Sequence, residues 1–178
     1  MSETLRPAAF LDRDGVINVD HGYTYKPEDL AFIEGAPNAI RRLNEAGYLV
    51  VVVTNQSGVA RGYYGEVDVE RFHAHMQAEL AKSGAKIDAF YSCPYHPEGV
   101  VAAYRLDHPD RKPKPGMILR ALRDLPIDAG RSFLIGDLPT DVQAATAANI
   151  AGHRFPGGDL DDFVAGVLLQ AGAPLGPK

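Results

Sequence analysis

Cysteine is nearly absent: Cys93 stands alone among 178 residues. No disulfide can form within the chain, and a reducing, cytoplasmic setting is the expected address. No apolar run approaches the roughly 20 residues a membrane helix needs, and Met1 to Pro7 lack the apolar core of a secretory signal. A soluble protein without membrane contact is expected. Positive charge is also in short supply. Eighteen Lys and Arg against 23 Asp and Glu leave a net charge of −5. That argues against nucleic acid, which is bound by cations that displace counterions, and against an anionic membrane surface. A phosphorylated small molecule stays compatible, since a few Lys and Arg can face it locally.

No repeat, low-complexity tract or linker divides the chain. Its length and ordinary globular composition suit a single domain over 1–178, with a core at about 8–170 and short flexible tails. Apolar runs and helix-like segments alternate. Ala8 to Leu11, Tyr48 to Val53, Ala89 to Ser92 and Ser132 to Ile135 read as buried strands, with a weaker one between Ile150 and Phe155. Between them, Pro37 suits a helix start and Gly47 its end. Val69, Phe72, Met76 and Leu80 mark a helix over 67–82, with His73 and His75 expected on its surface. Further helices are expected around Met117 to Leu122, Val142 to Ala148 and Asp159 to Gln170. This alternation predicts an α/β fold, a doubly wound and mainly parallel sheet with helices on both faces. The tail beyond Gln170 should fray.

Phe10-Leu11-Asp12-Arg13-Asp14-Gly15 sets two carboxylates where a buried strand stops and a glycine permits a turn. Open α/β sheets bind ligands at that end of their strands. Two close carboxylates repel unless a cation, a proton or solvent relieves them, and a divalent metal serving a phosphate is the simplest relief. Thr54-Asn55-Gln56-Ser57, Arg111-Lys112 and Asp137 should reach the same edge. Asp12 is then the candidate nucleophile, forming an aspartyl phosphate, and Asp14 the acid–base group. Asp137 would join Asp12 in holding Mg²⁺, while Thr54 and Lys112 stabilise the phosphoryl oxygens. Each residue also has a plainer reading: a turn, a strand end, a solvated loop, or Asp137 and Asp141 favouring a helix N-terminus. Four such accidents at one edge are hard to credit together.

These residues also resemble the signature motifs of the haloacid dehalogenase (HAD) superfamily of phosphatases. FLDRDGVINVDHGY (10–23), VVVTNQSGVARG (51–62), CPYHPEG (93–99) and RKPKPGM (111–117) narrow the likeness. From Ala8 to Ala148 the chain resembles the D-glycero-D-manno-heptose 1,7-bisphosphate 7-phosphatase family, whose motif combination histidinol-phosphate phosphatases share. The resemblance implies a HAD-like Rossmannoid domain without a large cap, and Mg²⁺ held by Asp12, Asp137 and the backbone carbonyl of Asp14. It assigns recognition of a phosphosugar to Asp20, His21, Gly22, Tyr23, Asn55, Gln56, Ser57 and Arg111. The implied reaction removes the C7 phosphate during the making of nucleotide-activated heptose for lipopolysaccharide. A monomer is expected.

Two positions depart from the pattern. Relatives carry a structural zinc bound by three cysteines and a histidine. The corresponding residues here are Cys93, Tyr95, His108 and Asp110, so a zinc-free, proline-stiffened loop is expected. The alternative is an improvised zinc set of Cys93, His96, His108 and Asp110. Leu138 stands where relatives have Lys or Arg, and Arg61 or Arg13 are the cations that could compensate. The competing functions are a histidinol-phosphate phosphatase, a phospho-receiver domain, whose phosphorylated Asp follows a middle strand, and a catalytically silent binding module.

Overall fold

In the computed structural model, residues 3–172 are described; the tail expected to fray falls almost wholly outside them. Five parallel strands form one sheet: β1 (Ala8–Leu11), β2 (Leu49–Asn55), β3 (Ala89–Cys93), β4 (Phe133–Gly136) and β5 (Ala151–Arg154), in the order β3-β2-β1-β4-β5. The connecting helices are α1 (Ala36–Glu45), α2 (Glu66–Ala81), α3 (Gly116–Asp124), α4 (Pro139–Ala147) and α5 (Leu160–Gln170). Both faces of the sheet are covered, which is why β1, β2 and β4 read as unbroken apolar runs.

Alternation along β1 divides the core in two. Ala9 and Leu11 pack with Val50, Val52 and Ile135 beneath α1, α2 and α5. Ala8 and Phe10 pack with Val51, Val53 and Leu134 beneath α3 and α4. Because β1 lies between β2 and β4, the winding reverses beside it, and the strand ends part there into a crevice. Asp12 follows β1 and Asp137 follows β4, so the two carboxylates flank that crevice from adjacent strands.

His73 departs from the surface position expected of it. On α2 it shares the inward stripe of Val69, Met76 and Leu80, is 7% exposed, and stacks on Phe90 at 4.3 Å. Burial, with Arg13 nearby, pushes its pKa down to about 3, so it stays neutral. Among the described residues, no helix is long and apolar enough to cross a membrane.

Candidate active site

The crevice is built by short turns at the strand ends. Asp12 extends the β1–β4 ladder by donating its N–H to the Ile135 carbonyl at 3.0 Å. Gly15 has φ of +86°, and any β-carbon there would strike the Asp137 carboxylate. Only glycine lets this turn close against Asp137. One carboxylate oxygen each from Asp12, Asp137 and Asp141 then lies within 4.8 Å of the others.

Lys112 is driven into this acidic group. Its Nζ donates to Asp12 Oδ1 at 2.9 Å, to Asp141 Oδ1 at 2.6 Å and to the Val53 carbonyl at 2.9 Å. Asn55 latches the lysine's backbone from both sides, accepting its N–H at 3.0 Å and donating to its carbonyl at 3.1 Å. Burial works against the charge on Lys112, but Asp12 and Asp141 outweigh it and hold the pKa above its ordinary value. For Asp12, burial dominates. Lys112 opposes it, Asp141 and Asp137 reinforce it, and the carboxyl is pushed up to about 8.

Three carboxyl groups share one ammonium, and Asp137 Oδ1 is buried without a partner among the described residues. Hard oxygen donors so arranged fit Mg²⁺. Ligation needs Asp12 ionised, whereas below about pH 8 the metal-free site keeps a proton there. Mg²⁺ binding at pH 7 should therefore release close to one proton. Its affinity should climb by up to about tenfold per pH unit and level off above pH 8. Calorimetry in buffers of different ionisation enthalpy measures this directly; a binding heat independent of buffer contradicts it.

Asp14 stands apart from the metal group. Its carboxylate accepts from Arg13 NH2 at 2.9 Å and Nε at 3.1 Å, from Asn18 Nδ2 at 2.9 Å and from Gln56 Nε2 at 3.2 Å. Its side chain supplies no oxygen to the metal group, which leaves the backbone carbonyl as the contribution the resemblance assigns. Asp141 joins the group instead. Sequence alone gave it only a helix-terminus role, and it does accept the Leu138 N–H at 3.0 Å. Its other oxygen belongs to Lys112.

Arg13 is fully buried over the Phe72 ring, with NH2 on the Thr24 carbonyl at 2.7 Å and NH1 3.3 Å from His73 Nε2. It is committed to Asp14 and cannot replace a cation at Leu138. Leu138 is exposed, and the cation beside it is Arg154, whose Nε donates to the Asp137 carbonyl at 3.2 Å.

Thr54 is buried, with its hydroxyl accepting from Gln56 Nε2 at 2.9 Å. Gln56 is buried too, so it and Asn55 brace the site from behind. The exposed rim is formed by Asp20, His21, Gly22 and Tyr23, where Tyr23 meets Tyr63 edge-on at 4.8 Å. Half-buried Ser57 lies beside Gln56. Arg61 NH2 comes within 3.4 Å of His96 Nε2, and the Nε atoms of Arg61 and Arg111 are buried with no partner among the described residues. Burial, then Arg111 and Arg61, push the His96 pKa down. Two arginines near this histidine thus keep unused N–H donors, the chemistry that an anion needs.

The improvised zinc set is not assembled. Cys93 is buried, with Sγ 4.0 Å from the Tyr95 carbonyl, and burial pushes its thiol up. Tyr95 stacks on His108 at 4.3 Å, Asp110 pairs with Arg120 at 2.5 Å, and His96 Nδ1 accepts the Glu98 N–H at 3.0 Å. Among the described residues, these four ligands do not come close enough to share an ion. A stacked ring pair and an ion pair tie the loop instead.

Residues 110–155 match the HAD-hydrolase-like family model. A Rhodopseudomonas palustris protein named D-glycero-beta-D-manno-heptose-1,7-bisphosphate 7-phosphatase is 53% identical over 165 residues, covering 93% of this chain and 92% of that protein. A HAD-like phosphatase from Mesorhizobium loti superposes with a TM-score of 0.85 at 38% identity, covering 99% of this chain and 90% of that one. The D,D-heptose 1,7-bisphosphate phosphatase of B. bronchiseptica, solved with magnesium and phosphate, gives 0.75 at 32% identity over 97% and 90% of the two chains. With an acid–lysine crevice at the switch point and a relative alike over nearly its whole length, the chain belongs to the D-glycero-beta-D-manno-heptose-1,7-bisphosphate 7-phosphatase family of HAD-like hydrolases.

Proposed function

We propose that this protein is a Mg²⁺-dependent phosphatase that removes the 7-phosphate from D-glycero-β-D-manno-heptose 1,7-bisphosphate. The observation that carries the reading is Asp12 at the sheet's switch point, bonded to Lys112 at 2.9 Å and grouped with Asp137 and Asp141. Asp12, Asp137 and the Asp14 carbonyl would hold Mg²⁺, whose positive charge would let an anionic nucleophile meet an anionic phosphate.

The chain's own residues do the rest. Asp12 attacks phosphorus, an acyl phosphate forms, and the bond from phosphorus to O7 breaks. Asp14 gives its proton to the departing O7 alkoxide. It then takes a proton from the water that attacks the acyl phosphate, releasing inorganic phosphate and restoring Asp12. Lys112 and the Thr54 hydroxyl meet the charge on the phosphoryl oxygens. Arg61 and Arg111 suit the distal 1-phosphate, and the 20–23 rim suits the sugar.

The sparing use of cysteine, with Cys93 alone, and the acidic balance support a cytoplasmic enzyme acting on small molecules. The product, a heptose 1-phosphate, is a substrate for nucleotidyl transfer, as nucleotide-activated heptose synthesis requires. The test is a comparison of kcat/KM for heptose 1,7-bisphosphate and histidinol phosphate. We expect a preference for the bisphosphate of about 100-fold or more, since histidinol phosphate leaves the two arginines without an anion. A preference for histidinol phosphate overturns the reading.

A further inference from the structure

We infer that Tyr64 is a positioning residue for proton transfer: its hydroxyl fixes the Gln56 amide so that one N–H group braces both Asp14 and Thr54. This rests on the assignment of Asp14 as the acid–base group. Gln56 stands between two kinds of partner. On one side, Nε2 reaches Asp14 Oδ2 at 3.2 Å and Thr54 Oγ1 at 2.9 Å. On the other, Oε1 accepts from the Tyr64 hydroxyl at 2.6 Å. Arg13 and Asn18 donate to Asp14 Oδ1, and the Gln56 amide turns its N–H side to Oδ2 and to the Thr54 hydroxyl. The Tyr64 hydroxyl proton holds the amide oxygen on the far side, and a flipped amide would set that oxygen against Asp14 Oδ2.

The two oxygens of Asp14 are not equivalent. Oδ1 takes the shorter contacts, 2.9 Å from Arg13 NH2 and 2.9 Å from Asn18, with Arg13 Nε at 3.1 Å. Oδ2 has two longer ones, 3.2 Å from Arg13 NH2 and 3.2 Å from Gln56. Oδ2 is therefore the oxygen with room for the transferable proton, and Gln56 is the neutral group that aims it. Tyr64 is itself fixed. It is 8% exposed and stacked on Tyr25 at 4.8 Å and 20°. It lies so close over Gly58 that any β-carbon there would collide with its ring. Burial pushes its hydroxyl up to about 12, so it remains a donor throughout the working range.

Tyr64→Phe removes one oxygen and keeps the ring and its stacking. The readout is kcat/KM for two leaving groups, since kcat/KM reports the steps through first bond cleavage. A sugar alkoxide needs a proton to leave; p-nitrophenolate does not. We expect Tyr64→Phe to lose about tenfold on heptose 1,7-bisphosphate, roughly one neutral hydrogen bond, and less than about twofold on p-nitrophenyl phosphate. Equal losses would mean that the hydroxyl acts through Thr54 or through general structure, and would overturn the inference, as would no loss at all. Asp14→Asn is the reference and should show the same discrimination, but larger. If Asp14→Asn loses equally on both substrates, the acid–base assignment fails. If Asp14→Asn discriminates and Tyr64→Phe does not, the inference about Tyr64 alone fails.

Discussion

Asp12→Asn is expected to fold and to release no phosphate, a loss on the order of 10⁵-fold or more in kcat. An amide oxygen is too weak a nucleophile for phosphorus, and no other carboxylate has Asp12's place between Lys112 and Asp137. The fold should survive because Lys112 Nζ can still donate to the amide oxygen that replaces Asp12 Oδ1. Stability also carries a pH signature. In the metal-free protein the Asp12 carboxyl is pushed up to about 8 from 3.8, so the folded chain keeps a proton that the unfolded chain has lost. Between those values this group's contribution to stability falls as pH rises. Asparagine has no such proton. Unfolding midpoints in chelator at pH 6 and pH 8.5 should drop more for the wild type than for the variant. An Asp12→Asn protein that keeps even a tenth of wild-type turnover would end the proposed mechanism.

Lys112→Met is expected to damage both catalysis and folding. Methionine matches the length of lysine without its charge, so the Asp12 and Asp141 carboxylates lose the ammonium that bridges them at 2.9 and 2.6 Å. Removing one partner from a buried ionic group costs about 3–5 kcal/mol. Losing a preorganised cation from the phosphoryl site costs on the order of 10³-fold in rate. The two losses can be separated. Urea unfolding reads the lost stability by itself, and kcat measured where the variant is fully folded should stay low. Unchanged stability at pH 8 would show that Lys112 does not neutralise the pair.

The fold was legible because burial on both faces writes strands as uninterrupted apolar runs. Phe10-Leu11-Asp12 shows where β1 stops, and the alternation of elements implies a parallel sheet. Asp12, Thr54 and Asp137 stand at or just beyond strand ends, where the sequence puts its candidate groups, with Asp14 in the turn after β1 and Lys112 in the loop before α3. Asp141 was harder to read. An aspartate in the first turn of a helix is explained by the local N–H groups alone, and only the approach of Lys112 from a distant loop reveals its second oxygen. Gln56 and Asn55 look like loop residues facing substrate; that their amides also serve Asp14, Thr54 and Lys112 at the end of β2 shows only in the structure. Charge argues for the surface, so the burial of Arg13 could not be read without Asp14 and Phe72 placed around it. His73 was legible in principle: its spacing from Val69, Met76 and Leu80 already puts it on the inner stripe of α2. Around Cys93 the sequence shows the loss of the usual zinc ligands. The Tyr95–His108 stack and the Asp110–Arg120 pair, which tie an irregular loop to itself and to α3, emerge only in three dimensions.

The central claim, a Mg²⁺-dependent phosphatase acting at carbon 7, is tested most directly by following heptose 1,7-bisphosphate with ³¹P NMR, with Mg²⁺ and with a chelator. With Mg²⁺, the 7-phosphate signal should be replaced by inorganic phosphate while the 1-phosphate signal persists, and nothing should change in chelator. Loss of the 1-phosphate first, or equal turnover without the metal, would contradict it.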